Sequence, residues 1–239
     1  ETSLAEKGKG SPMFIGHYGP AVYDVVRSGK VKLWQAFLAV QGIDIVFCIL
    51  VLFGLEGAAS LVDGQLVFDI DYSHSFVGAI FIAFLAAGLY RLTNRGDTGS
   101  MRGFWIIFAL AFSHWPLDWL VHRPDLVWVP GSEFKMGLGL WNYAWPTYLM
   151  EVFLLGAAIA FWLAKTTGPR WTTIAAGATV ALLSVLHFFS ITKTTLDLQA
   201  GTLDLAALPS GAAFALSGLF FFIGFALWIG WLESKRRFD

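Results

Sequence analysis

Six stretches of roughly 18 mainly apolar residues divide this chain of 239 residues, at about 33–55, 75–90, 103–122, 141–164, 171–192 and 210–232. Each is long enough to cross a hydrocarbon core as a helix. Only 14% of the residues are Asp, Glu, Lys or Arg, and mean hydropathy is +0.64. A soluble domain carries about 25% charged residues, so this chain belongs in lipid. The expected fold is all-α: a polytopic integral membrane bundle of six transmembrane helices plus a short N-terminal helix. One membrane-embedded domain would cover 13–239, after a polar extension at 1–12 that lacks the apolar core of a signal peptide. A net charge of −1 gives no electrostatic reason to expect nucleic acid as a partner, which leaves the lipid bilayer itself. Cys48 is the single cysteine and lies inside an apolar run, where it reads as a buried structural thiol.

The flanks suggest an orientation. Eleven basic residues border one set of span ends: Arg27, Lys30, Lys32, Arg91, Arg95, Arg102, Lys165, Arg170, Lys235, Arg236 and Arg237. The opposite loops, at 56–73, 123–140 and 193–209, hold only Arg123, Lys135 and Lys193. The positive-inside rule then puts the C-terminus in the cytoplasm and those three loops outside. The segment Met13 to Arg27 would be about 22 Å long as a helix, too short to span. It reads as a short helix packed among the others, interrupted at Gly19-Pro20.

Titratable groups at membrane depth are costly, so each is a candidate functional residue. Asp44, His114 and Glu151 reach similar levels on the first, third and fourth spans. His74 opens the second span from the outer side. Asp118 and His122 follow His114 at successive four-residue steps, which aligns the three along one side of a helix. Such a set can hold a divalent ion, carry protons, or form a purely structural polar network. Pro116 lies inside it and frees the Phe112 carbonyl, which predicts a local kink. His187, alone in its span, reads as a hydrogen-bonded packing residue. Asp69 and Asp71 read as solvated loop residues.

At Asp71-Tyr72-Ser73-His74-Ser75, followed by Ser113-His114-Trp115-Pro116-Leu117-Asp118, the chain resembles the YdjM-like bacterial inner-membrane proteins, a family of predicted membrane-bound metal-dependent hydrolases. A closer subgroup is similar at Met13-Phe14-Ile15-Gly16-His17, His122-Arg123-Pro124-Asp125-Leu126 and Gly137-Leu138-Gly139-Leu140-Trp141-Asn142, with a glutamate at Glu151. The resemblance covers residues 13 to about 155. Through that family the chain is remotely similar to the zinc-dependent phospholipase C and single-strand nuclease superfamily. That likeness implies His17, Asp44, His74, His114, Asp118 and His122 as metal ligands, with Glu151 as a further acidic one. The superfamily's second His-x-x-x-Asp/Glu is missing, since Thr147 stands four residues before Glu151, so one or two metals are expected rather than three.

The functional expectation is a metal-dependent hydrolase of the bacterial inner membrane, acting on a phosphoester such as a lipid or lipid-linked phosphate. Imidazole and carboxylate ligands suit zinc best, then manganese or iron. Asp118 would be catalytic, and Arg123, next to His122, would hold the phosphate with its planar fork. The competing expectations are a proton- or cation-coupled transporter and a non-catalytic subunit of a membrane complex.

Overall fold

The computed structural model describes residues 15–62, 65–94, 101–204 and 211–238. The polar extension at 1–12, Met13, Phe14, Arg95 and loop residues 205–209 lie outside the described residues. The architecture is an all-α polytopic bundle. Five helices are long and apolar enough to cross a membrane, and a bent pair makes a sixth if it counts as one span.

The short N-terminal helix is present. A single 3-10 turn, Ile15–His17, leads into α1, Tyr18–Ser28. Pro20 interrupts nothing, because it falls in the first turn, where its missing N–H has no helical partner to lose. Gly29 ends α1 at φ 58°, the left-handed backbone that favours glycine, and its N–H reaches the Val25 carbonyl at 3.0 Å. Tyr18, Ala21, Val22 and Val25 bury one face of α1 against α6 and α2.

The first apolar run, expected as one helix, is two. Helix α2 (Leu33–Val40) and α3 (Gly42–Leu52) meet at Gln41 with a bend of 53°. Gly42, the residue of lowest helix propensity after proline, makes the break inexpensive. The loop expected at 56–73 contains an antiparallel hairpin, β1 (Gly57–Val62) and β2 (Gln65–Asp69). Helices α4 (Phe76–Thr93) and α5 (Met101–Val121) then pack along their length, and α5 runs on through Pro116.

Helix α6 (Ala144–Ala164) follows a 3-10 turn at Leu140–Asn142. The fifth span is longer than its apolar run: α7 (Arg170–His187) continues through a π-helical stretch, Phe188–Thr192, into α8 (Lys193–Gln199). Lys193, expected in a loop, is therefore helical. Last, α9 (Gly211–Glu233) packs on α2 and α3.

Polar contacts sort the ends. Strand β3 (Thr166–Thr167) pairs with β4 (Arg237–Phe238), Glu233 Oε2 accepts the Leu33 N–H at 2.9 Å, and Gln35 donates to Asn94 at 2.9 Å. These tie the basic-rich flanks together at one end of the bundle. The hairpin and the loop after α5 share the other.

Candidate metal centre

Each donor reaches the centre for a local reason. His17 closes the 3-10 turn that starts α1. Asp44 sits in the first turn of α3, just past the break at Gln41. The break also strands carbonyls at the end of α2, and that of Val40 accepts from His114 Nδ1 at 2.6 Å. His74 stands two residues before α4, whose first N–H groups are taken by Ser75 Oγ, the Val127 carbonyl and the Trp128 carbonyl. Trp115 Nε1 donates to the His74 carbonyl at 2.8 Å and fixes that turn onto α5.

His122 lies one residue beyond α5. The stretch Gly137–Asn142 folds back to cap it: Leu138 N–H reaches the Trp119 carbonyl at 2.8 Å, and Gly139 N–H reaches the His122 carbonyl at 2.7 Å. Gly137, at φ 148°, passes so close that a Cβ would lie 2.4 Å from the Arg123 carbonyl oxygen. Only glycine meets both demands. The Trp141 ring then packs against His122, centroids 4.2 Å apart.

Asp118 is the hub. Its Oδ1 lies 3.4 Å from His17 Nε2 and 3.7 Å from His122 Nε2. Its Oδ2 lies 3.0 Å from His114 Nε2 and 3.5 Å from His74 Nε2. Asp44 Oδ1 adds separations of 3.4 Å to His74 and 3.5 Å to His114. Ligands about 2.0–2.1 Å from a tetrahedral zinc are themselves about 3.3 Å apart. The observed spacings bracket that value.

Hydrogen bonding decides the imidazole tautomers. The Val40 carbonyl only accepts, so His114 Nδ1 carries a proton. Asp125 Oδ1, 2.9 Å from His122 Nδ1, does the same for His122. Ser73 Oγ donates to Glu56 Oε2 at 2.7 Å, which leaves its lone pairs to accept from His74 Nδ1, also at 2.7 Å. In the neutral forms all three Nε2 lone pairs therefore face carboxylates. His114 Nε2 and Asp118 Oδ2, though 3.0 Å apart, are buried without a hydrogen-bond partner among the described residues. A cation shared between these atoms relieves that opposition, and an outer acceptor on each Nδ1 is the usual setting of a metal-ligating histidine.

Three donor triplets satisfy the spacing: His17/His114/Asp118, Asp44/His74/His114 and His74/Asp118/His122. The first and third share only Asp118, so the set can accommodate two ions bridged by that carboxylate. A cavity of about 20 Å³ opens beside it, lined by Phe47, Phe68, Ile70 and Trp141 together with every donor except His114. That is room for about one water-sized species.

Two sequence-derived candidates sit elsewhere. Glu151 joins none of the triplets: its Oε2 accepts the Ile15 N–H at 3.2 Å and lies 3.3 Å from His187 Nε2. Depth along α6 suggested otherwise, but its buried face looks onto the Ile15–His17 turn and α7. Arg123 is buried and does not offer an open fork. It donates to Asn142 Oδ1 at 2.7 Å and to the Leu66 carbonyl at 3.2 Å, with Trp141 and Thr195 oxygens at 3.4 and 3.5 Å. It fastens the hairpin, the capping loop and α8 together.

Sequence reasoning gave no role to Glu56 or the Val40 carbonyl, and noted Ser73 and Asp125 only within the family resemblance. Asp125 stands three residues from His122, a spacing that carries some signal. It also accepts the Phe68 N–H at 3.0 Å, joining β2 to the centre. Asp69 is partnered in the hairpin register, and Asp71 pairs with Lys135 at the surface.

Fold and centre together define a class: a membrane-spanning α-helical protein with a buried His/Asp cluster that could bind a metal ion. No protein-family model matches the chain, and neither a curated protein nor a solved structure does.

Proposed function

We propose that this chain is a membrane-embedded metal-dependent hydrolase, with zinc as the first choice of ion and a phosphoester as the substrate class. One observation carries the reading: His74, His114 and His122 each have Nδ1 held by an outer oxygen while Nε2 faces the carboxylates of Asp44 or Asp118. Under this reading His17, His74, His114, His122 and Asp118 hold the ion. When bound, a divalent ion acts as a Lewis acid that acidifies a water and offsets charge on a phosphoryl oxygen. Asp44 is the least buried donor, its side chain 18% exposed against 5% or less for the others. We assign it to orient the attacking water at the cavity edge and to accept its proton. The aromatic wall of Phe47, Phe68 and Trp141 excludes bulk water from that exchange. The phosphoester class rests on the family resemblance.

Metal analysis of detergent-purified protein tests this. Near-stoichiometric zinc, manganese or iron is expected, lost in His114→Ala. Hydrolysis, in a screen across phospholipids, lipid-linked phosphates and simple phosphodiesters, should stop with chelator and return with added zinc. Full turnover by metal-free protein would overturn the mechanism, and protein that takes up no metal would favour a proton-relay or scaffold role.

We also propose that the basic-rich end, with the C-terminus, faces the cytoplasm of a bacterial cell, so that the centre lies in the outer half. Because Cys48 is buried, background thiol labelling should be low. A Glu133→Cys variant should react with an impermeant reagent on intact cells, and Lys165→Cys only after lysis. The reverse pattern would invert the topology.

A further inference from the structure

Among the proposed ligands, His17 belongs to the short N-terminal element, which does not by itself cross the bundle. Helix α1 has 11 residues, about 16 Å, so its depth is not fixed by spanning. Something must hold its first turn at the level of Asp118.

Glu151 is placed to do so. It is fully buried on α6, where an unpaired carboxylate is costly. Its Oε2 accepts the Ile15 N–H at 3.2 Å, the first donor of the turn that ends in His17. Helix starts leave such N–H groups without internal partners and carry partial positive charge, which a carboxylate complements. From the other side, His187 Nε2 on α7 lies 3.3 Å from the same oxygen. The His187 ring is itself held parallel to Tyr148, centroids 5.8 Å apart and planes 8° apart, and α7 widens to a π-helix at the next residue. One carboxylate thus joins α6, α7 and the turn. Two residues on from Ile15, the His17 ring stacks on that of His114 with centroids 3.9 Å apart; its Nε2 lies 3.4 Å from Asp118 Oδ1 and 3.2 Å from the His114 carbonyl oxygen, a contact that a bound ion would replace.

We propose that Glu151 is a positioning residue: it holds the Ile15–His17 turn at the depth that brings His17 into the donor set, and His187 orients Glu151 in turn. This rests on the metal-centre reading above. Glu151 acts through His17 and binds no ion itself.

The test is cobalt(II) titration of purified full-length protein, read by its visible absorption spectrum and by competition with a chelating dye. Glu151→Ala and His17→Ala should each weaken binding about 10–100-fold, the range for lost supporting contacts, and give the same altered spectrum. The double variant should bind no worse than His17→Ala. Glu151→Gln keeps a carbonyl acceptor for Ile15 and should recover much of the loss. If Glu151→Ala prevents folding, His187→Gln and Glu151→Gln take its place, each combined with His17→Ala. Losses that add in the double variant would make Glu151 a ligand and overturn the proposal. So would a folded Glu151→Ala variant that binds cobalt as tightly as wild type. No cobalt uptake by folded wild-type protein would instead remove the metal-centre reading beneath it.

Discussion

Asp118→Asn is expected to abolish metal binding and hydrolysis while making the metal-free protein more stable. Asp118 faces all four clustered histidines, two through each oxygen. Among the proposed ligands it is the only carboxylate, and two of the three donor triplets include it, so the effect should far exceed the roughly 10–100-fold that follows loss of an outer hydrogen-bond partner. Stability moves the other way. Without an ion, the wild-type carboxylate opposes Nε2 lone pairs in a buried site, and that unmatched arrangement is expensive. An asparagine amide donates two hydrogens and would satisfy two of those nitrogens. Thermal unfolding in detergent, with chelator and with zinc, reads both effects. Wild type should gain about 2.7 kcal/mol when free zinc is a hundred times its dissociation constant. The variant should start higher in chelator and gain nothing. A variant stabilised by zinc as much as wild type would take Asp118 out of the centre.

What the sequence made legible follows from what periodicity and depth can encode. His114, Asp118 and His122 were readable as one face because four-residue spacing fixes azimuth as well as height. Asp44 and His74 were readable because ionisable groups in apolar runs are few and their depth is countable. Depth alone misled at Glu151: it gives the level on α6 but not which neighbour that face meets. The break at Gln41 was hidden because glycine and glutamine are both tolerated in an apolar helix. Its stabilisation comes from His114, 74 residues away, whose Nδ1–H donates to the freed Val40 carbonyl. Arg123 sits at a span end, where an exposed fork and a buried brace look alike in sequence. The difference lies in the Leu66 and Trp141 carbonyls, which only the folded loops bring near. Glu56 lies outside every span and 17 residues from its partner, so neither periodicity nor depth could single it out.

Glu56→Gln is expected to weaken metal binding about 10–100-fold without touching a ligand. Glu56 Oε1 accepts the Tyr72 and Ser73 N–H groups, both at 2.8 Å, while Oε2 accepts the Ser73 hydroxyl at 2.7 Å. That last bond sets the direction of the chain: Ser73 gives its proton to Glu56 and so accepts from His74 Nδ1. In the variant the amide oxygen can keep the two backbone donors, which leaves the NH₂ facing Ser73 Oγ. The hydroxyl must then turn and donate to His74 Nδ1. The imidazole changes tautomer, and Nε2 carries a hydrogen where a ligand lone pair is required. Nitrogen-15 spectra of labelled histidine should show the exchanged tautomer, and zinc competition should show the lost affinity. Adding Ser73→Ala removes the hydroxyl that enforces the wrong direction, so the double variant should bind zinc more tightly than Glu56→Gln alone. If the second substitution deepens the loss instead, Glu56 acts by packing the turn before α4, and the proton direction along Glu56, Ser73 and His74 is not what tunes the centre.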